Sequence, residues 1–514
     1  MTATLTDAPP SEAGPSIGDE SPTEADAPTR APLTLARLST WTLGVALVIA
    51  SVRTTIDPDL FWHIRTGEWI LDNGIPKGDV FSFTVPGREW ITHEWLSQVI
   101  AQLGFAAGGF VGVSLLFAAL AIVAMVFTYK TIDGGPIQKA LLTFFALQVT
   151  TIAWGARPQL FTLTFAAGFI WLVESVRRGE RSERALLWLI PATLVWANLH
   201  SGFLLGVVIL TTFAVGEYAQ RRFLTADSST LPASTVRLLW KVAAASFAIA
   251  VVNPSGPKLW IYPFITLRSG AMRTMISEWH SPDFHDAVFR PFMVLLIGGA
   301  IVLGASKRRP TVSQVLLFAG TTAAALTSLR HVALAGVVSI PVLSPHVTSA
   351  FAGTRLGPWL AGSKDRAFRV SRVFVGVVGA VLVLFSLMFV ATTLGANDAR
   401  IAEHYPEAAV DHLQEAGLAD QHGYNAYGFG GYLIYRDVPV FVDGRADVYG
   451  DDFLWQVNTV NEAESGWDDV LDEYEVQWAL VAPDDTEAAV LDASPGWTLE
   501  YEDSTAVIFV RAGS

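Results

Sequence analysis

The sequence contains no cysteine among its 514 residues, which excludes disulfides, thiolate metal ligands and a thiol nucleophile. Charged residues are also scarce, at 16% of the chain against roughly 25% in an average soluble domain. There is no P-loop, no Gly-x-Ser-x-Gly elbow and no His-Glu-x-x-His helix. Hydrophobic residues make up 51% of the chain, a composition that is typical of a protein embedded in a bilayer.

Charge is unevenly distributed along the chain. Residues 1–33 are rich in Pro, Ala, Ser, Thr and acids, and we predict that they form a disordered tail. Residues 34–396 carry most of the basic residues and all of the long apolar runs. Residues 397–514 contain 25 acidic but only four basic side chains, which indicates a separate acidic domain. No basic face of the kind that binds nucleic acid is present.

The apolar runs predict a polytopic α-helical membrane protein with about 11 transmembrane helices, since a spanning helix needs about 20 apolar residues. Some of the runs are shorter than this, which is tolerated where Pro and Gly break helices beside a polar cavity. The predicted spans are 38–56, 96–128, 140–154, 160–176, 185–197, 203–218, 238–252, 289–303, 312–327, 332–347 and 373–393.

Basic residues set the expected orientation, because Lys and Arg are concentrated in cytoplasmic loops. With eleven spans, six basic clusters fall on the side of the N-terminus. They are Arg30 with Arg37, Lys130 with Lys139, Arg177 to Arg184, Arg221 with Arg222, Lys307 to Arg309, and Lys364 to Arg372. We therefore predict a multi-pass protein of the plasma membrane, with a cytoplasmic N-terminus and an extracytoplasmic C-terminal domain.

The first outer loop, residues 57–95, carries acids and histidines at both ends. Asp57, Asp59 and His63 open the loop, and His93 and Glu94 close it. Two carboxylates at a membrane edge are suited to act as a general base with an orienting partner, or to hold a cation. Alternatively, Asp57 and Asp59 only cap a helix over 60–71, with Pro58 in its first turn.

Further polar residues fall on the outer side of the predicted bundle and, together with His63 and His93, are candidates for substrate binding. They are Arg157, Asn198, His200, Glu278, His280, Arg330 and His331. The planar donor fork of an Arg suits phosphate, although an Arg at this depth also extends towards lipid headgroups. The segment 198–202 either lines a cavity or is a polar hairpin turn. The spacing of His280 and His285 does not match a helical zinc pair.

The acidic C-terminal region predicts a small α/β domain. We expect helices over 406–416 and 467–474, and strands over 431–435, 439–442, 477–481, 497–502 and 505–511. Asp443 and Arg445 follow a predicted strand end, where open α/β sheets place ligands. They are candidates for binding substrate or docking on the membrane, but an internal Asp–Arg pair that fixes the turn explains them as well.

In these motifs the sequence resembles the GT-C class of integral membrane glycosyltransferases, which includes protein mannosyltransferases and aminoarabinose transferases. Asp57-Pro58-Asp59 and His93-Glu94 match the acidic first outer loop of that class. The same motifs, with Ala156-Arg157-Pro158 and Val442-Asp443-Gly444-Arg445, also resemble a family of uncharacterised bacterial membrane proteins. The resemblance implies a polyprenyl-phosphate sugar donor, Asp57 or Asp59 as general base, Glu94 as orienting group, and Arg157, Arg330 and His331 around the leaving phosphate.

The resulting hypothesis is an inverting glycosyltransferase that moves a sugar from a polyprenyl phosphate to an envelope acceptor on the outer face. Its partners are the bilayer and the lipid-linked sugar. No metal ligands are assigned, while a divalent cation stays open as a cofactor. The alternatives are a transporter or flippase, and a non-catalytic envelope scaffold, for lipid-linked glycans. A transporter predicts charged residues inside the helices at mid-depth of the bilayer.

Overall fold

The computed structural model describes residues 30–224 and 230–513. Each of the eleven predicted apolar segments overlaps one of its helices. Up to residue 395 the helices are α1 (Leu35–Ser51), α2 (Pro58–Asn73), α3 (Trp95–Thr131), α4 (Pro136–Thr150), α5 (Gln159–Arg177), α6 (Leu189–Leu199), α7 (Phe203–Phe223), α8 (Ala233–Ile249), α9 (Lys258–Arg268), α10 (Gly270–Met275), α11 (Arg290–Ala305), α12 (Val312–Thr327), α13 (Val332–Phe351), α14 (Gly357–Leu360) and α15 (Arg372–Gly395).

Within the described part of the chain, six helical segments are long and apolar enough to cross a membrane. They are Trp95–Thr131, Gln159–Arg177, Phe203–Phe223, Ala287–Ala305, Leu329–Phe351 and Arg372–His404. Helix α15 has no buried residue, so its apolar side chains need a lipid environment. The total of eleven spans and the orientation of the bundle stay predictions.

Helix α3 joins the membrane bundle to the outer loop. Its 37 residues form two helical segments, 95–107 and 110–131, and the second, about 33 Å long at 1.5 Å per residue, is by itself long enough to cross the ~30 Å hydrocarbon core. The non-helical backbone of Gly108 and Gly109, the latter at φ 58°, kinks the helix. The segment before the kink therefore packs beside α2 outside the apolar part of the bundle. This arrangement carries Glu94, at the start of α3, to the same end as α2.

The N-terminal tail prediction needs one correction. Residues 1–29 lie outside the described part, but Arg30–Thr34 forms strand β1, which pairs antiparallel with β2 (Ala367–Ser371). The predicted tail boundary at residue 33 is therefore four residues too late. Backbone hydrogen bonds to a distant segment order these residues without any apolar periodicity, which is why composition did not reveal them.

The C-terminal region contains a four-stranded mixed sheet flanked by helices. Strand β3 pairs parallel with β4, and β6 pairs antiparallel with both β4 and β5, giving the order β3-β4-β6-β5. The elements are α16 (Asn397–His404), α17 (Glu407–Glu415), β3 (Gly423–Asn425), α18 (Gly430–Tyr435), α19 (Ala446–Asn461), α20 (Trp467–Glu473), β4 (Trp478–Val481), α21 (Thr486–Ala493), β5 (Trp497–Glu502) and β6 (Val507–Arg511).

Two predicted strands of this region are wrong. Residues 431–435 belong to helix α18, and residues 439–442 contribute only an isolated bridge between Val440 and Ser82. A short apolar run does not distinguish a buried helix from a buried strand, and here packing on the outer loop decides. The core of this domain includes Phe61, Trp62 and Trp90 of that loop, so loop and domain share one apolar core.

A buried ionic network fixes this shared core. Arg445 donates to Asp79 at 2.5 Å and to Asp443 at 2.6 Å, and all three side chains are at most 1% exposed. The guanidinium lies 5.0 Å from the ring of Phe81 and 4.7 Å from that of Trp90. Since Asp79 belongs to the outer loop and Arg445 to the C-terminal domain, the pair joins the two units.

Replacing Arg445 by Ala leaves Asp79 and Asp443 buried without their cation. We expect this to destabilise the protein by about 3–5 kcal/mol, measured as thermal or denaturant unfolding of the purified protein in detergent. Asp437→Asn, which removes the exposed partner of Arg65, is the control and costs at most about 1 kcal/mol. Equal effects of the two variants would contradict a structural role of the buried network.

Candidate functional site

The candidate site lies where four segments meet at one end of the bundle. Asp57 precedes α2, and its side chain accepts a hydrogen bond from the Asp59 amide as the N-cap, with Pro58 in the first turn. Arg157 lies in the turn before α5. A short 3-10 turn, Ser277–Trp279, supplies Glu278, and another, Leu329–His331, supplies Arg330. The sequence prediction of Asp57 as a helix cap is confirmed, but capping uses only one of its oxygens.

Arg157 is surrounded by three carboxylates. Its Nε donates to Asp57, one terminal nitrogen donates to Glu278, and the other lies 3.4 Å from Asp59 Oδ2. Glu278 in turn accepts a 2.9 Å hydrogen bond from Nε of Arg330. Three acids and two guanidinium groups therefore form one connected group, hereafter the Arg157 cluster (Asp57, Asp59, Arg157, Glu278 and Arg330).

The carboxylates of this cluster differ in basicity. Burial raises the pKa of Asp57 to about 6, although Arg157 opposes this effect. Burial likewise raises the pKa of Asp59, against the attraction of Arg157. Burial also acts to raise the pKa of Glu278, but Arg157 and Arg330 together outweigh it and hold that pKa below its usual value. The two aspartates are therefore the more basic carboxylates of the group.

Glu94 lies in a second group, among three histidines, hereafter the Glu94 cluster (His63, His93, Glu94 and His200). Its carboxylate oxygens lie 3.2 Å from Nε2 of His93, 3.3 Å from Nε2 of His200 and 3.6 Å from Nε2 of His63. The sequence prediction paired Glu94 with the aspartates and Arg157. The structure places it beside them but gives it histidine partners.

Hydrogen bonds assign the protonation of two of these histidines. His93 has Nδ1 3.1 Å from the carbonyl of Ile91 and Nε2 near Glu94, so both nitrogens face acceptors, an arrangement that favours the protonated ring. His200 Nδ1 accepts from the amide of Gly202 at 2.9 Å, which leaves the proton on Nε2, facing Glu94. The geometry thus favours a positive charge on His93, which faces the carboxylate of Glu94.

The pKa directions agree with this assignment. Burial acts to lower the pKa of His93, but the charge of Glu94 outweighs it and raises that pKa. Burial lowers the pKa of His63 and of His200 to about 4, so both rings are neutral at pH 7. Burial acts to raise the pKa of Glu94, and the three histidines together reverse this and hold it well below its ordinary value.

Trp62 connects the two clusters. Its Nε1 donates to Asp59 at 3.1 Å, and its ring lies 3.7 Å from that of His63. On the other side of the Glu94 cluster, the Tyr262 ring lies 4.2 Å from the ring of His93. Burial, the larger cause, raises the pKa of the Tyr262 hydroxyl together with Asp447 of the C-terminal domain, which lies close to it. Sequence analysis missed Trp62, Tyr262 and Asp447, because only folding brings α2, α9 and α19 together.

The C-terminal domain closes directly over Asp59. A Cβ atom at Gly444 would lie 2.0 Å from Asp59 Oδ1 and 3.1 Å from Trp62 Nε1, so only glycine fits there. A Cβ at Gly431 would similarly lie 2.2 Å from the carbonyl oxygen of Pro58. The motif that contains Asp443, Gly444 and Arg445 is therefore a wall of the candidate site.

Four other predicted residues connect the surrounding elements. Asn198 accepts from Trp95 Nε1 at 2.9 Å and donates to the carbonyl of Val252, so it ties the turn after α6 to its neighbours. Asp443 and Arg445 are buried and bonded to each other, which matches the internal pair considered from the sequence. His280 is exposed, and its Nε2 lies 3.2 Å from the carbonyl oxygen of Thr274.

His331 follows Arg330 in the same turn. Its Nδ1 is buried and has no hydrogen-bond partner among residues 30–224 and 230–513. The ring therefore lies next to the Arg157 cluster without joining its network of hydrogen bonds.

A metal does not fit the residues that are present. In the part of the chain that the structure describes, no group of three or more His, Asp or Glu side chains is arranged to hold a metal ion. The carboxylates that the sequence offered for a cation are instead occupied by the guanidinium of Arg157. No chemical step below is assigned to a metal.

Solved structures of similar fold are GT-C membrane glycosyltransferases, and this chain has the GT-C fold. The archaeal oligosaccharyltransferase AglB from Archaeoglobus fulgidus, in complex with an inhibitory peptide and a dolichol-phosphate, matches with a TM-score of 0.53 and 10% identity, over 93% of this chain and 74% of that one. ArnT from Cupriavidus metallidurans, bound to undecaprenyl phosphate, matches with a TM-score of 0.49 and 14% identity, over 93% of this chain and 98% of that one. No protein-family model and no curated protein matches the sequence.

Replacing Glu94 by Gln removes the anion that does most to raise the pKa of His93, so we expect that pKa to fall, although Asp447 and the Ile91 carbonyl still oppose the effect of burial. In the native protein the His93 charge stabilises the fold below pH 6.5, and this stabilisation is lost as the pH rises through the raised folded-state pKa. NMR titration of histidine-labelled protein, with His93→Gln to assign the signal, measures the shift. Glu89→Gln, at an exposed ion pair with Lys258, is the control. An unchanged His93 pKa in the Glu94 variant would refute the assignment.

Proposed function

We propose that the protein is an inverting glycosyltransferase that transfers a sugar from a polyprenyl phosphate to an acceptor hydroxyl at the Arg157 cluster. The observation that carries the proposal is the convergence of two high-pKa aspartates with two guanidinium groups at one end of a bundle of GT-C fold. The fold neighbour AglB was solved with a dolichol-phosphate, which supports this class of lipid donor.

Asp59 is the better general base of the two aspartates. Asp57 uses one oxygen to cap α2 and the other to bind Arg157. Asp59 accepts one hydrogen bond from Trp62, its contact with Arg157 is 3.4 Å long, and its side chain is 24% exposed. A base with a raised pKa and a partly exposed side chain suits removal of a hydroxyl proton near neutral pH. Asp57 then acts by orienting Arg157.

Arg330 is the better ligand for the lipid phosphate. Arg157 already has a carboxylate at each of its three nitrogens, whereas Arg330 binds Glu278 through Nε and its side chain is 44% exposed. Its guanidinium lies 4.6 Å over the ring of Trp279, which fixes its plane. Helix α9, which leads towards this loop, exposes Ile261, Phe264 and Ile265, an apolar surface on which a polyprenyl chain can lie.

The proposed reaction is a single displacement. The acceptor hydroxyl oxygen attacks the anomeric carbon while the bond from that carbon to the phosphate oxygen breaks. The hydroxyl proton passes to Asp59, and the lipid phosphate leaves with the electron pair of the broken bond. Arg330 stabilises the charge that develops on the departing phosphate, as preorganised donors do in transition states. Attack from the face opposite the phosphate inverts the anomeric configuration.

The proposed setting is the outer face of the plasma membrane, with an envelope acceptor. The basic clusters at the other end of the bundle support this orientation through the positive-inside rule. In this orientation the C-terminal domain is extracytoplasmic, on the same side as the site. The Glu94 cluster then acts as a positioning group, because it orients Trp62 and so the hydrogen bond to Asp59.

Asp59→Asn keeps the shape of the side chain but removes the base. We expect the turnover number to fall about 10²- to 10⁴-fold, with little change in KM for the donor. The measurement is release of undecaprenyl phosphate from undecaprenyl-phosphate hexose and pentose donors by the purified protein.

Asp451→Asn is the matched control for this variant. Asp451 lies on α19 of the C-terminal domain and accepts hydrogen bonds from Ser269 and Gly270, where α9 meets α10. Wild-type rates in Asp59→Asn, with measurable turnover in the unchanged protein, would eliminate Asp59 as the base. Absence of turnover with every donor in the unchanged protein would count against the transfer reaction itself.

Gly444→Ala places a methyl group against Asp59 Oδ1 and is expected to displace that carboxylate. We expect at least a tenfold loss of turnover together with a lower unfolding temperature, because small-to-large changes in packed sites typically cost about 1–3 kcal/mol. Gly428→Ala, at a position with no atom within 4 Å of the added Cβ, is the control. Full activity of Gly444→Ala would show that the C-terminal domain does not position Asp59.

A further inference from the structure

A second polar cavity lies at the opposite end of the bundle from the Arg157 cluster. Its volume is about 550 Å³, and it is lined by the end of α3, the start of α4, the end of α5 and the turn that follows. The lining residues are Tyr129, Lys130, Lys139, Trp171, Ser175, Glu180 and Arg181. Because α3 and α5 run from the candidate site to this cavity, the two are separated by the length of the bundle.

Three cations converge on the aromatic walls of this cavity. Arg181 and Lys130 both lie over the ring of Trp171, at 4.7 Å and 5.8 Å from its centroid. Lys139 lies 5.8 Å from the centroid of Tyr129. Two like charges over one indole ring repel each other, and an anion between them would relieve that repulsion. The indole face favours the cations, while their donor groups remain available for hydrogen bonding.

The carboxylate in the cavity wall does not cancel this charge. Glu180 accepts a 2.7 Å hydrogen bond from Nε of Arg178, a fourth cation, which also donates to the carbonyl oxygens of Thr131 and Lys130. Arg178 thereby neutralises Glu180 and fixes the end of α3. Glu180 therefore does not neutralise Lys130, Lys139 and Arg181, and their positive charge favours a negatively charged ligand.

Apolar surface adjoins the cations on the same helices. Val126 on α3, one turn before Lys130, is 39% exposed, and Leu141 and Phe144 on α4, just after Lys139, are 56% and 44% exposed. A ligand with a phosphate in the cavity and hydrocarbon against these side chains satisfies both surfaces. Basic pockets between the ends of membrane helices bind anionic lipid headgroups by this arrangement.

We propose that this cavity binds the phosphate-bearing headgroup of an anionic phospholipid, with Lys130, Lys139 and Arg181 as its ligands. The acyl chains lie along the exposed faces of α3 and α4. Such a lipid fills the junction of α3, α4 and α5 at the end remote from the candidate site. The lipid site is inferred from the membrane fold and the cavity and is independent of the proposed transfer reaction. A negative result for one of the two proposals therefore does not contradict the other.

Native mass spectrometry of the purified protein with phosphatidylglycerol or phosphatidylcholine tests this site. We expect one phosphatidylglycerol to be retained in preference to phosphatidylcholine. In Lys130→Gln/Lys139→Gln/Arg181→Gln its affinity is expected to fall at least about tenfold, since each cation near a lipid phosphate contributes. Should the triple variant not fold, Arg181→Gln alone, at an exposed position, is expected to give about a threefold fall.

The matched control is Lys307→Gln/Arg308→Gln/Arg309→Gln, which removes equal charge from the loop between α11 and α12 but leaves the cavity intact. Retained phosphatidylglycerol binding in the control supports a defined site. Equal loss in both triple variants, or no preference for phosphatidylglycerol, overturns the proposal. A third arm adds inorganic phosphate. Displacement of the lipid by low-millimolar phosphate would show that the cavity recognises free phosphate and not a lipid.

Discussion

A guanidinium that is removed from water needs carboxylates around it, and Arg157 obtains them from separate segments of the chain. Asp57 and Asp59 come from the start of α2, and Glu278 comes from a loop more than a hundred residues later. Separating Arg157 from these carboxylates would leave partly buried charges without a partner. The ion pairs therefore hold the three segments together at Arg157. Their meeting point leaves two aspartates with raised pKa beside the exposed Arg330.

The C-terminal domain also contacts the candidate site. Its buried Arg445 pairs with Asp79 of the outer loop, and its Gly444 lies against Asp59. Asp447 reaches the Glu94 cluster through Tyr262. The domain therefore packs against the candidate site and fixes side chains there, and Asp443 and Arg445 are buried in that packing.

Local sequence patterns predicted the helices and the list of polar residues, but not their pairing. Each apolar segment overlaps a helix, because twenty apolar residues have few other stable arrangements in a bilayer. The split of the acids into two groups depends on the packing of α3 against α2, which places Glu94 beside His63. Residues 431–435 formed a helix and not a strand because packing on the outer loop overrode a short apolar pattern.

The proposed transfer requires that the Arg157 cluster receives the phosphate of a polyprenyl carrier beside the C-terminal domain. A cryo-electron microscopy structure of the protein in a nanodisc with added undecaprenyl phosphate would show where that phosphate binds. We expect density for a phosphate within hydrogen-bond distance of Arg330, with the isoprenoid chain along the exposed apolar side chains of α9. A phosphate bound elsewhere, with the Arg157 cluster closed to the lipid, would contradict it.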